Sequence, residues 1–113
     1  NLGAAYIKKG LLDEAIGECK EAIRINPNLA DAHSNLGAAY GRKNMLDEAI
    51  GECKEAIRIN PNFADAHSNL GFAYYSKKQY DLAIQYCDKA IQLGYKPNPN
   101  FLKLLEPHRK NTK

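Results

Sequence analysis

The sequence has no tryptophan, a single methionine and only three cysteines in 113 residues. No apolar run approaches the roughly 20 residues that a membrane-spanning helix requires, and no secretory signal pattern opens it. A membrane partner is therefore not expected. Cys19, Cys53 and Cys87 form no C-x-x-C pair, and none has a histidine at zinc-ligand spacing. They recur every 34 residues, and stacked helices sit on the order of 8–10 Å apart, beyond the roughly 7 Å reach of a disulfide. The expected role is a buried core thiol in each case. An odd count without a disulfide framework fits a reducing compartment, hence a cytoplasmic protein. No glycine-rich phosphate loop, H-E-x-x-H or G-x-S-x-G occurs. No catalytic residue, cofactor or metal is expected.

Excess charge is nearly lacking as well. Sixteen Lys and Arg stand against 13 Asp and Glu, for a net +3. Residues 1–95 carry a net −1, and the surplus lies in 96–113, where Lys96, Lys103, Arg109, Lys110 and Lys113 face only Glu106. A nucleic-acid reader needs a basic stripe across its binding face. The body has none, so nucleic acid is excluded as a partner and the basic tail is expected to solubilise the end of the chain. With 44% hydrophobic and 26% charged residues, the composition is that of a folded globular protein.

What is present in abundance is repetition. Asn1-Leu2-Gly3-Ala4-Ala5-Tyr6 returns as Asn35-Leu36-Gly37-Ala38-Ala39-Tyr40, and again as Asn69-Leu70-Gly71-Phe72-Ala73-Tyr74. Residues 1–34 and 35–68 differ at five positions only: Ile7/Gly41, Lys8/Arg42, Gly10/Asn44, Leu11/Met45 and Leu29/Phe63. Such near-identity points to recent duplication or deliberate construction. A period of this length means a stack of identical supersecondary units.

Each unit reads as two amphipathic helices. Leu12, Ala15, Ile16, Cys19, Ala22 and Ile23 recur at three- and four-residue steps, with Asp13, Glu14, Glu18, Lys20, Glu21 and Arg24 on the opposite face. The acidic pairs Asp13-Glu14 and Asp47-Glu48 suit the positive end of a second helix. Pro27 and Pro61 end the second helices. Asn28 and Asn62 are expected to cap the helices that follow, with Asp31 and Asp65 near the positive end of the helix dipole. Gly10 and Asn44 suit a left-handed turn inside each hairpin, whereas Lys78 in the third copy is a poor fit there. Asn98 and Pro99 start a last helix, whose apolar side is Phe101, Leu102, Leu104 and Leu105, and Pro107 is expected to end or kink it.

These residues resemble the tetratricopeptide (TPR) repeat, whose signature runs W-x2-L-G-x2-Y, then A-x3-F, then P. Leu36, Gly37, Tyr40, Ala49 and Pro61 meet it, with His33 in place of the Trp and Cys53 in place of the Phe. His67, Leu70, Gly71, Tyr74, Ala83 and Cys87 repeat the pattern, and Tyr95 stands where the proline belongs. His33 and His67 are expected to pack in the core or at an interface. The resemblance implies an all-α, right-handed superhelical solenoid of antiparallel hairpins. A TPR array over 1–97 (1–29, 30–63 and 64–97) would be followed by a capping helix and basic tail over 98–113. The N-terminal edge lacks a cap, so the sequence is expected to be part of a longer chain or to pack on another copy of itself.

In this family the first helices line a concave groove. On that side the resemblance places Asn35 and Asn69, with Asn1 beside them, as a ladder of amides. With rungs roughly 10 Å apart and an extended chain rising about 3.3 Å per residue, each rung would meet about every third residue of a peptide. The run Ala-His-Ser-Asn-Leu is similar to that of the repeat region of protein O-linked N-acetylglucosamine transferases. The alternative is that the amides brace neighbouring helices. Asp31, Ser34, Ala38 and Arg42 are expected on the same side in the second copy, and Asp65, Ser68, Phe72, Tyr75 and Ser76 in the third. For Asp31 and Asp65 helix capping is the rival role, and for Phe72 core packing. The family's carboxylate clamp for chaperone tails is disfavoured, because Ser34, Asp65 and Asn69 fill the slots that would carry its charges. The implied function is a non-catalytic scaffold for an extended peptide or partner helix. The alternatives are the substrate-recruiting arm of a larger enzyme and self-assembly through the N-terminal edge.

Overall fold

A computed structural model describes residues 2–109 of the chain, so Asn1 and the tail lysines Lys110 and Lys113 lie outside the described residues. Seven helices follow in order: α1 (Leu2–Lys8), α2 (Leu12–Ile25), α3 (Ala30–Arg42), α4 (Leu46–Ile59), α5 (Ala64–Ser76), α6 (Tyr80–Gln92) and α7 (Pro99–Arg109). They pack as the hairpins α1–α2, α3–α4 and α5–α6, and each later first helix also lies on both helices of the preceding hairpin. Helix α7 closes the stack against α6. This is the all-α hairpin array that the 34-residue period predicts, drawn out to 44 × 26 × 23 Å.

The turn chemistry repeats with the sequence. Gly10, Asn44 and Lys78 hold φ values of 77°, 63° and 65°. One residue later, the N–H groups of Leu11, Met45 and Gln79 donate to the carbonyls of Tyr6, Tyr40 and Tyr74 at 2.8–2.9 Å. This left-handed cap satisfies carbonyls that the ending helix leaves open. Lys78 therefore keeps the turn despite its side chain, at a steric cost of roughly 1 kcal/mol. Lys78→Gly is expected to stabilise the chain by about 0.5 kcal/mol, since glycine's extra freedom when unfolded offsets part of that relief. Thermal melts of the two proteins check this, and a lower midpoint for the variant would contradict it.

Helices α2 and α4 stop before their Asn-Pro pairs, where Asn26 and Asn60 are extended at φ −140° and −137°. The expected capping by Asn28 and Asn62 is not what forms. Helices α3 and α5 begin one residue later than such a cap requires, behind Leu29 and Phe63, which make no side-chain cap. Instead the Asn28 and Asn62 N–H groups donate to Oδ1 of Asn26 and Asn60, at 3.2 and 3.3 Å. The asparagine before each proline turns the chain and the one after it is the donor, the Asx-turn geometry. Asp31 does sit in the first turn of α3, where its Oδ1 accepts from the Ala32 N–H at 2.9 Å.

Ion pairs also follow the period. Asp13 and Asp47, in the first turns of α2 and α4, pair with Lys43 and Lys77 at the ends of α3 and α5. Exposed pairs of this kind contribute at most about 1 kcal/mol each, but they tie each hairpin to the next.

The third unit departs from the pattern where Tyr95 replaces proline. Gly94, at φ 103°, caps α6, and the Tyr95 N–H donates to the Ala90 carbonyl at 2.9 Å. Asn98 caps α7 as expected, accepting from the Asn100 N–H at 2.8 Å. Pro107 does not end that helix, which runs on to Arg109. A proline removes one backbone bond, and here it falls in the last turn, where little helix remains to disrupt. The turn is held from both sides. Leu105 is fully buried, and the Arg109 guanidinium pairs with Asp88 of α6 at 2.6 Å. Arg109 is thus tied to the body of the protein, contrary to its expected place in a solubilising tail.

Candidate functional site

The three cysteines are free and buried between helices. Desolvation pushes the Cys53 thiol up to about 12 and also raises those of Cys19 and Cys87. None of them presents a thiolate at neutral pH. No cluster of metal-ligating side chains occurs among the described residues.

Both histidines at the tryptophan slot are buried and tie their helices to the preceding loop. A carbonyl can only accept, so Nε2–H of His33 donates to the Pro27 carbonyl, and that of His67 to the Pro61 carbonyl, each at 2.9 Å. Nδ1 of His33 lies 2.8 Å from Oε1 of Glu52 on α4. In the third unit Tyr86 takes the place of that glutamate and stacks against the His67 ring, with centroids 6.0 Å apart. These are structural contacts, and neither imidazole opens onto the cleft described next.

That cleft, of about 460 Å³, lies between α3, α5 and α7. Helix α3 lines it with Ala38, Gly41 and Arg42, and α5 with Ser68, Asn69 and Phe72. The far wall comes from Tyr95, Pro97 and Asn98 and from Asn100, Phe101 and Leu104 of α7. Phe72 is 48% exposed and Leu104 52%, and the Phe72 and Phe101 rings meet at 5.7 Å. Arg42 is the one charged side chain along the cleft among the described residues; its Nη1 donates a long 3.4 Å bond to the Ile7 carbonyl near the end of α1.

Of the residues that sequence places in the groove, Arg42, Ser68, Asn69, Phe72 and Ala38 meet in this cleft. Ser34 does not reach the surface. It is 1% exposed, because Nδ2 of Asn69 donates to both its carbonyl, at 3.2 Å, and its hydroxyl, at 3.0 Å. Asn69 therefore braces α5 to α3 with its amino group, and its side-chain carbonyl is the end a ligand can meet. Asn35 is half-buried on α3, outside the cleft lining. Asp31 borders a separate, smaller hollow with Gly3 and Leu29, and Asp65 is exposed at the start of α5. Ser76 is exposed where α5 ends. Tyr75 is not among the cleft lining; its ring packs 5.5 Å from Tyr80 and 5.4 Å from Phe101, behind the cleft wall.

Sequence reasoning missed the wall that α7 supplies. Phe101 and Leu104 read as one apolar side that lies on the third repeat, but only Leu105 is fully buried there. The signal was the length of that apolar stretch: four apolar residues within five, Phe101 to Leu105, are too broad for one contact face.

The chain belongs to the tetratricopeptide repeat family. Models of the TPR repeat match residues 3–44 and 42–78, and a further tetratricopeptide repeat model matches 64–93. Solved structures agree on the fold. The TPR2B domain of yeast Sti1, solved as a complex with pHsp70, is 31% identical over 80% of this chain and 73% of that one, with a TM-score of 0.75. The first TPR of Spaghetti (RPAP3), bound to the HSP90 peptide SRMEEVD, is 23% identical over 96% of this chain and 87% of that one, at 0.84. MamA is 34% identical over 81% of this chain and 54% of that one, at 0.71. No curated protein sequence gave a match. No helix among the described residues is long and apolar enough to cross a membrane.

Proposed function

We propose that the chain is a non-catalytic interaction module that takes an extended peptide in the cleft between α3, α5 and α7. The observation that carries this reading is the pairing of Phe72 and Leu104, each about half exposed, on facing walls beside Ser68, Asn69 and Arg42. An apolar side chain of the peptide packs between Phe72 and Leu104, and the peptide backbone N–H meets the Asn69 side-chain carbonyl. Other TPR domains solved with peptides support the reading. So does the run Ala-His-Ser-Asn-Leu, whose likeness to the repeats of O-linked N-acetylglucosamine transferases belongs to this proposal alone. Three free, buried cysteines support a reducing compartment, the cytoplasm by this reading.

Peptides selected on the immobilised chain from a displayed random dodecapeptide library test it. The groove is short, so micromolar or weaker dissociation constants are expected. Phe72→Ala should weaken a selected peptide about tenfold or more, as expected when an aromatic contact leaves an interface. Glu48→Ala on the outer helix should change nothing. Equal binding by the parent and Phe72→Ala would overturn the site. The peptide SRMEEVD is expected to bind no better than its scramble, because one arginine alone cannot clamp a cluster of carboxylates.

A further inference from the structure

We infer that the cleft selects peptides carrying a primary carboxamide, Asn or Gln, two residues from an apolar anchor, and that Ser68 reads the amide. This rests on the peptide-binding role proposed above. The repeat itself shows the chemistry. Residues 30–37 and 64–71 share the run Ala-Asp-Ala-His-Ser-Asn-Leu-Gly. In the first of them, the hydroxyl and carbonyl of Ser34 both accept from the amide of Asn69, at 3.0 and 3.2 Å.

Ser68 stands in the same register one unit later, half-buried and lining the cleft. Thirty-four residues beyond Asn69, the chain supplies Lys103, an exposed side chain on α7, in place of another asparagine. The pair of acceptors on Ser68 therefore faces the cleft where the next rung of the ladder would lie. An –NH2 group brings two hydrogens to two acceptors. A carboxylate brings none: it can take the Ser68 hydroxyl hydrogen but is left against the Ser68 carbonyl oxygen. A second cation would lie in the same cleft as Arg42, against like charge. Ser68 and Phe72 are one helical turn apart, about 5–6 Å, and alternate residues of an extended peptide lie about 7 Å apart on one side. The amide and the apolar anchor thus fall two residues apart.

The displayed dodecapeptide library is selected in parallel on the parent, Ser68→Ala and Ser68→Thr, each checked by circular dichroism for equal helix content. The parent and Ser68→Thr, which keeps the hydroxyl, should enrich Asn or Gln two residues from Leu, Ile, Met or Phe. Ser68→Ala should keep the apolar residue and lose the amide. Replacing that Asn by Asp in the best peptide should weaken binding to the parent about tenfold and to Ser68→Ala far less. Amide enrichment that survives Ser68→Ala, or an apolar consensus without Asn or Gln on the parent, would overturn the inference and leave the groove standing. A library that enriches nothing on any of the three would overturn the groove itself, and this inference with it.

Discussion

Leu70→Ala is expected to cost about 3 kcal/mol of folding stability. Leu70 has no exposed surface and sits in one cluster with Cys53 of α4, Ile84 and Cys87 of α6, and Leu105 of α7. Truncation forfeits the burial of three carbons, the Cγ methine and two methyls, and leaves a cavity that four rigid helices cannot close. Urea unfolding followed at the helical circular dichroism band measures the loss. Ile25→Ala, at a side chain 70% exposed, is the control and should stay within about 0.5 kcal/mol of the parent. A loss below about 1 kcal/mol for Leu70→Ala would mean that α7 shifts to refill the space.

Gly71→Ala is the second large effect, and the glycines divide by sign. A Cβ on Gly71 would lie 3.1 Å from both the Ala83 carbonyl oxygen and the Cys87 nitrogen, all backbone of α6. The helices must part, at a net cost of about 1–2 kcal/mol after alanine's better helix propensity is credited. A Cβ on Gly37 would lie 2.5 Å from Cys53 Sγ. There the nearest obstacle is a side-chain atom, with the Ala49 carbonyl oxygen behind it at 3.2 Å, so adding Cys53→Ala should recover part, not all, of the loss from Gly37→Ala. Adding Cys87→Ala should recover little of the loss from Gly71→Ala, because its obstacles are main-chain atoms. Around Gly17 and Gly51 a Cβ would meet nothing within 4 Å, and alanine there should stabilise by about 0.5–1 kcal/mol. The same unfolding curves give all of these values. Destabilisation by Gly51→Ala would show that this reading of the two faces is wrong.

Much of the fold was legible because the sequence states it nearly three times. The 34-residue step, the apolar spacing around Ala15 and Cys19, and the Asn-Pro stops name seven helices and their order without reference to any distant contact. Local chemistry misled in two places. Asn28 reads as a helix cap by residue type, but the turn through Pro27 engages its backbone N–H with Asn26. Pro107 reads as a stop or a kink, but Leu105 and Arg109 hold the last turn of α7 from outside the helix.

The candidate site was legible only on one wall. Arg42, Ser68, Asn69 and Phe72 follow from helical periodicity on α3 and α5, since residues three and four apart share a face. Ser34 shows the limit of that reasoning. It is chemically identical to Ser68 and in the same register, yet it is sealed by Asn69 from the next hairpin, while Ser68 lines the cleft. The sequence by itself determined the unit, its two helices, its turns and its stacking partner, because those depend on neighbours within one period. Tertiary structure alone decided which copy of a repeated residue is open and which is covered, and it set Phe101 and Leu104 across from Phe72. Burial in a stack depends on what comes next along it, and beyond the third unit the chain no longer repeats.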